Sequence, residues 1–346
     1  KNIGQTIESK VSDKILNIAN YIIEIHKLDK PQNYGNQIKN YFKTYWLFMP
    51  WPKGEKYADV YEKAEKEFAA IKNTRMFSQL PERGRKCSIT GTENALFYRG
   101  DHKRAPQEMV NCKHLEIKYI AKGEYLGGVA FFKRSLDKWF KKENLDYIAS
   151  FPSVSGIAVM NKVGFDKVDE IRQNYRDWDT QLLFDDNISQ LYLDKQGIKT
   201  SINDIRKIKS DLKNNKILEK ESDVSKYYAI LVYDGDKMGD WLSGTNCKDD
   251  IDLKEFHKTF TTVMGEFAAY FKKYIDGKKG ITVYAGGDDY LGFINLSYLF
   301  EVMNTLVTEF DKQVNNNPKI RSFIKEDETI TISAGVAIAH YKSPLQ

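Results

Sequence analysis

Cysteine is scarce: Cys87, Cys112 and Cys247 are the only three in 346 residues, and no Cys-x-x-Cys occurs. An odd, low count excludes a disulfide framework and points to a reducing, intracellular setting, here the cytoplasm. Thr90 occupies the position where a close partner of Cys87 would stand. A zinc site would have to join Cys87 and Cys112 to His102 and His114, without the short spacing such sites prefer, so the thiols read as ordinary cysteines. Long apolar runs are also missing. The longest, over 227–233, is strand-sized and far below the ~20 residues of a membrane span. Charge of one sign is nearly offset, with 53 basic against 48 acidic side chains, a net +5 and a pI near 8.7. That balance permits an anionic partner but does not describe a protein that coats nucleic acid.

What is present argues for a packed protein. Apolar residues at 41% and aromatics at 13% exclude bulk disorder, and 346 residues suffice for two or three domains. The first residue is Lys, with no apolar signal region behind it, so the expectation is a piece of a longer protein.

Residues 1–80 read as mostly helical, and 58–72 place Tyr61, Ala64, Phe68 and Ile71 on one face. Residues 81–134 break into short pieces rich in Gly, Arg and Lys and read as a small loop-rich module. Residues 135–225 return to helical patterning, and the lysine-rich run over 206–220 reads as a solvated helix face. The remainder, 226–346, is patterned best. A strand over 227–233 leads through Asp234-Gly-Asp-Lys-Met-Gly into a helix. Leu253–Ile275 then carries Phe256, Phe260, Val263, Phe267, Phe271 and Tyr274 along one stripe. Strands at 281–285 and 290–294 flank Gly286-Gly287-Asp288-Asp289, a hairpin signal. A helix carrying Leu299, Val302, Met303, Leu306 and Phe310 ends at the cluster 315–318, and a strand over 329–339 closes the chain. The order βαββαβ predicts an α+β, ferredoxin-like fold.

In that fold the first and third strands are central neighbours, which brings Asp234 and Asp236 toward Asp288 and Asp289 at one sheet edge. Four clustered carboxylates repel unless a cation intervenes, and oxygen ligands suit Mg²⁺ or Mn²⁺ completed by a substrate phosphate. Gly286 and Gly287 allow a tight turn beside a triphosphate. Two-metal chemistry then activates a ribose hydroxyl and steadies a leaving pyrophosphate. Taken singly, Asp-Gly-Asp is a bare turn and Gly-Gly-Asp-Asp a plain hairpin loop. An EF-hand beginning at Asp234 finds Asp236 and Gly239 in place. Met238 stands at its fifth position and Thr245 at its twelfth, where a bidentate Glu is required, so that reading fails. The two motifs together, at the strand ends of one fold, point to a nucleotide-metal site.

At these residues a resemblance emerges. YAGGDDYLGFI, preceded by LVYDGDKMGDWL and followed by ISAGVAIAHYKSPL, resembles the second palm domain of the large subunit of type III CRISPR effector complexes, most of all the Cmr-type (III-B) subunit. The likeness is specific over about 227–345. YFKTYWLFMPWP and the helix to Lys72 resemble the end of a first palm domain, so residues 1–80 are expected to be part of one. RKCSITGTENALF and GEYLGGVAFFKR resemble the family's zinc-binding module, and FPSVSGIAV its onward link. Thr90, Gly127 and Ala130 stand where paired cysteines are expected, so the module is degenerate and zinc is not expected.

The resemblance implies a nucleotidyltransferase that makes cyclic oligoadenylate from ATP when guide RNA pairs with target RNA, in antiviral defence, beside the other subunits of the complex. It implies Asp234 and Asp289 as chief metal ligands, Asp288 close to the ions and Asp236 as a helper. Gly235, Gly286 and Gly287 would border the triphosphate, and Ser333 would lie near the nucleotide. His340 and Lys342 match the family string without a chemical role. No His-Asp dipeptide occurs, so no nuclease activity is expected, and the family's C-terminal helical domain is not represented. Two other readings remain open: a catalytically silent scaffold in an RNA complex, and a diguanylate-cyclase-like enzyme. The latter class ends its hairpin in Glu-Phe, where this chain has Asp289-Tyr290, and no arginine-based inhibitory motif precedes the glycines.

Overall fold

The structure is a computed structural model that describes residues 2–74, 84–100, 109–145, 151–175 and 178–343. Two compact units emerge, Lys1–Ser150 and Phe151–Gln346. Among the described residues no helix is long and apolar enough to cross a membrane.

The first unit contains helices α1 (Asn2–Ile25), α2 (Tyr34–Tyr41), α3 (Tyr57–Asn73) and α4 (Gly128–Lys142), with strands β1 (Phe97–Tyr98), β2 (Val110–Asn111) and β3 (Tyr125–Leu126). The helix expected over 58–72 is α3. Spacing along α1 sends Ala19, Ile22 and Ile23 into a core shared with Ile38, Phe97, Leu126, Phe131 and Phe132. The strands are ordered β2-β1-β3, parallel on one side of β1 and antiparallel on the other. Two-residue strands cannot enclose a core of their own. The described residues of 81–134, expected as a separate module, therefore share their core with α1, α2 and α4. Gln37 joins the parts: its amide oxygen accepts from the Gly128 N–H at 2.6 Å, and its amide nitrogen donates to the Asn94 carbonyl at 2.9 Å. Gly127, at the start of α4, has no side chain to satisfy that first-turn N–H, and Gln37 supplies the acceptor.

The zinc-finger-like character expected of this segment is not supported. Cys87 and Cys112 are buried in the apolar core, where burial pushes the Cys112 thiol up to about 12. Thr90 donates to Glu93 at 2.8 Å, Ala130 is buried in α4, and His114 Nε2 is engaged by the His26 carbonyl at 3.1 Å. His102, the other candidate ligand, and the expected boundary at residue 80 lie outside the described residues.

The second unit begins with α5 (Val154–Val159), α6 (Phe165–Asn174), α7 (Gln190–Gln196) and α8 (Ile202–Asn214). These were expected as a linking region from 135 to 225, but α4 belongs to the first unit, and the other four share a unit with everything after them. Their core of Val159, Ile171, Leu183, Phe184, Ile205, Ile208 and Leu212 also takes in Tyr341, which stacks on Phe184 at 4.4 Å. α8 buries Ile205, Ile208 and Leu212 and exposes Arg206, Lys207 and Lys213, the solvated face read from the lysine run.

The palm follows: β4 (Tyr227–Gly235), α9 (Met238–Leu242), α10 (Leu253–Ile275), β5 (Gly280–Gly286), β6 (Asp289–Asn295), α11 (Leu299–Phe310), α12 (Pro318–Arg321) and β7 (Ile332–His340). The sheet is antiparallel throughout, in the order β5-β6-β4-β7, with the first and third strands central as the ferredoxin-like pattern requires. Asp252 starts α10 by accepting from the N–H groups of Lys254 and Glu255 at 3.0 and 3.2 Å. Phe256, Phe260, Val263, Phe267 and Phe271 are buried as patterned, and Ile275 rather than Tyr274 completes the stripe. Tyr274 stays half-buried, its hydroxyl donating to Glu301 at 2.9 Å. β7 starts at Ile332 instead of 329, because Ile330 is drawn aside into a reciprocal pair of hydrogen bonds with the Asn315 amide.

Alternation along β4 gives the sheet two unlike faces. Ala229, Leu231 and Tyr233 are buried, and α10 packs Phe267 and Phe271 onto Tyr233. On the other face Tyr228 is buried with Ile157 and Met160 at the α5 end, Ile230 is half-buried, and Val232 and Asp234 are exposed. That second face therefore opens progressively toward the acidic end.

Candidate active site

The register of the sheet builds the site. Tyr233 pairs with Tyr290 across β4 and β6, so Asp234 and Asp289 are the next facing positions. Asp234 pairs with Ser333 on β7, and Asp289 with Gly286 on β5. One row thus runs Gly286, Asp289, Asp234, Ser333 across all four strands, on the open face. Beneath it the Tyr233 and Tyr290 rings stack at 5.2 Å and 7°, backed by Phe271. Burial raises both phenols, fixing them as neutral apolar supports.

Gly287-Asp288 is a two-residue connection with Gly287 alone at positive φ, +67°, a backbone suited to glycine and the pattern of a type II′ turn. The turn separates the two aspartates. Asp289 lies in the open-face row, whereas the Asp288 β-carbon stands 3.0 Å from where a side chain on Gly235 would begin. Residue 235 alternates with Asp234, so Asp288 is drawn to the opposite side of the strand end. The Tyr284 hydroxyl occupies the place a β-carbon on Gly286 would take, so a side chain there would displace the phenol. That hydroxyl is hydrogen-bonded to Asp289, and the bond raises the phenol.

Asp236 continues the same face. Its N–H donates to the Thr331 carbonyl at 2.9 Å. Its two carboxylate oxygens accept from Ser333 and Thr331, each at 2.6 Å, and these bonds hold the carboxyl below its usual range. Lys237 follows in the left-handed region at φ +53° and starts α9. The structure thus brings Asp234, Asp289, Ser333 and Gly286 into one row and Gly235 against Asp288. It does not gather the expected ligands Asp234, Asp288 and Asp289 into one cage: among the described residues no three Asp, Glu, His or Cys side chains converge to hold a metal. His340 sits at the far end of β7, seven residues or roughly 23 Å from Ser333, its ring against Tyr227 and Tyr341. Lys342 donates its N–H to the His340 ring at 3.2 Å. Sequence reasoning missed Thr331 and Tyr284. Each stands two residues from a motif residue, the strand period that places side chains on one face, and that spacing was the available signal.

The donor set fits a hard divalent cation. Mg²⁺ is held by one or two carboxylates and takes its remaining oxygens from phosphates and water, so a facing Asp234–Asp289 pair suffices without a complete protein cage.

The family of the Cas10/Cmr2 second palm domain matches residues 227–346, the whole span from β4 onward. The chain is 24% identical over 298 residues to the CRISPR system Cmr subunit Cmr2 of Pyrococcus furiosus, covering 76% of this chain and 32% of that protein. It thus spans about a third of the length of this curated relative. It also resembles a chain of the Type III-B Cmr-beta cryo-EM structure in the apo state, at TM-score 0.50 and 13% identity, over 82% of this chain and 44% of the other. That likeness concerns the fold. Within the four-stranded sheet of 227–346 the aspartates of the Gly-Gly-Asp-Asp hairpin part to either side of the β4 end.

Proposed function

We propose that this chain is part of the large subunit of a type III CRISPR effector complex and that its palm is a nucleotidyltransferase making cyclic oligoadenylate from ATP. Guide RNA, target RNA and the other subunits are its partners in this reading. The observation that supports it most is the facing pair Asp234 and Asp289 on the open face of a Cas10/Cmr2 palm. Asp234 and Asp289 would hold Mg²⁺ or Mn²⁺, with Asp288 at the rim. Bound metal supplies charge neutralisation at the triphosphate and activation of the attacking ribose hydroxyl. Gly235 and the Gly286-Gly287 turn keep the strand ends free of side chains where a triphosphate approaches. The open face at Val232 and Asp234 admits the nucleotide. A new bond forms between the ribose oxygen of one ATP and the α-phosphorus of another, and pyrophosphate leaves.

The test is turnover of ATP by the chain in its full complex with guide RNA, Mg²⁺ or Mn²⁺ and target RNA, with products separated by chromatography. Oligoadenylate from wild type, and its loss in a folded Asp288→Ala/Asp289→Ala variant, is expected. Unchanged products from the variant refute the site. A silent scaffold subunit is the second reading, and no product from wild type with cognate RNA establishes that one.

A further inference from the structure

Asp234, Asp236 and Asp289 all belong to the open face, so three carboxylates would crowd one strand end if each were free to turn inward. Asp236 is not free. Thr331, just before β7, and Ser333 within it donate to its two oxygens at 2.6 Å each, and its N–H donates to the Thr331 carbonyl. Each oxygen is thus engaged from the β7 side of β4, and the carboxylate is drawn sideways, away from Asp289 on β6. Ser333 shares a row with Asp234, so its hydroxyl is spent on Asp236 beside the proposed ligand.

We infer that Asp236 is a positioning residue and not a metal ligand: the Thr331–Asp236–Ser333 clasp sets the Asp234–Lys237 turn and keeps a third carboxylate out of the Asp234–Asp289 pair. This rests on the metal-site reading above. Hydroxyls both donate and accept, so an amide at 236 keeps the clasp, one hydroxyl donating to its oxygen and the other accepting from its nitrogen. A ligand, by contrast, would lose its charge.

The experiment is a Mn²⁺ titration of the full chain followed by electron paramagnetic resonance, paired with amide hydrogen exchange of residues 235–238. Asp236→Asn should bind Mn²⁺ within about 2-fold of wild type. Asp236→Ala and Thr331→Val/Ser333→Ala should bind about 10-fold more weakly, the loss typical when a ligand's support is removed. These last two should also exchange at 235–238 at least 10-fold faster, with Asp236→Asn unchanged. Asp236→Asn as weak as Asp289→Asn makes Asp236 a ligand and overturns the inference. If Asp289→Asn binds like wild type, the metal-site reading fails instead, and the exchange data judge the clasp: unchanged exchange in Asp236→Ala refutes it. Single Thr331→Val and Ser333→Ala variants, each removing one of the two bonds, serve if the double variant does not fold.

Discussion

The β-carbon of Asp288 stands 3.0 Å from the point where a side chain on Gly235 would begin, and the Met238 side chain crowds the same point. The end of β4 and the tip of the β5–β6 hairpin are therefore in contact through an absent side chain. Gly235→Ala should push Asp288 and the hairpin outward, costing about 1–3 kcal/mol as overpacking does. Urea unfolding measures the loss, and ATP turnover should fall with it. Wild-type stability in this variant would mean that the hairpin yields freely.

Tyr284 and Gly286 form a second such fit. The phenol lies where a β-carbon of residue 286 would stand and reaches Asp289. Tyr284→Phe removes only the hydroxyl from an exposed ring, so stability should stay within about 0.5 kcal/mol, as for ordinary surface changes. Turnover should drop about 10-fold, the scale for losing a hydrogen bond that orients a ligand. Gly286→Ala displaces the same hydroxyl and should reproduce the defect. Full activity in both variants would leave Asp289 without need of the phenol.

The first unit carries a pH response. His26 is 5% exposed, packed against Tyr119 and Phe131, and burial together with the nearby Lys138 lowers its imidazole from 6.5 to about 4. The unfolded chain takes up this proton first on acidification, so the stabilisation is complete above pH 6.5, declines as pH falls, and is gone near pH 4. Its size is roughly 3 kcal/mol from the linkage relation. Protection of α1 amides in urea should fall accordingly between pH 7 and pH 4.5. His26→Phe, which keeps a ring and loses the titration, should flatten that profile. An equally steep profile in the variant would assign the response to other groups.

Much of the palm was legible because its patterns are local. Phe256, Phe260, Val263, Phe267 and Phe271 recur at helical spacing, and α10 spans the expected Leu253–Ile275. Gly-Gly-Asp-Asp marks a tight hairpin, and the order of elements limits the sheet to few topologies. The middle of the chain was harder to read. β1, β2 and β3 have two residues each, too short for periodicity, and much of the core around them comes from α1 and α2, far away in sequence.

The candidate site divides in the same way. Composition and motif already named Asp234, Asp288 and Asp289 as the acidic residues of one edge, because strand order follows from element order. Sequence alone also determined the βαββαβ pattern and the helical character of α3 and α10, through hydrophobic spacing. Only the tertiary structure decided which aspartates face each other and which turn away. Register sets Asp234 opposite Asp289, the II′ turn carries Asp288 to Gly235, and hydroxyls from the start of β7 and the residue before it claim Asp236. The reason is physical: a carboxylate's direction depends on hydrogen-bond donors brought from ~100 residues away, and no local pattern encodes partners that folding alone assembles.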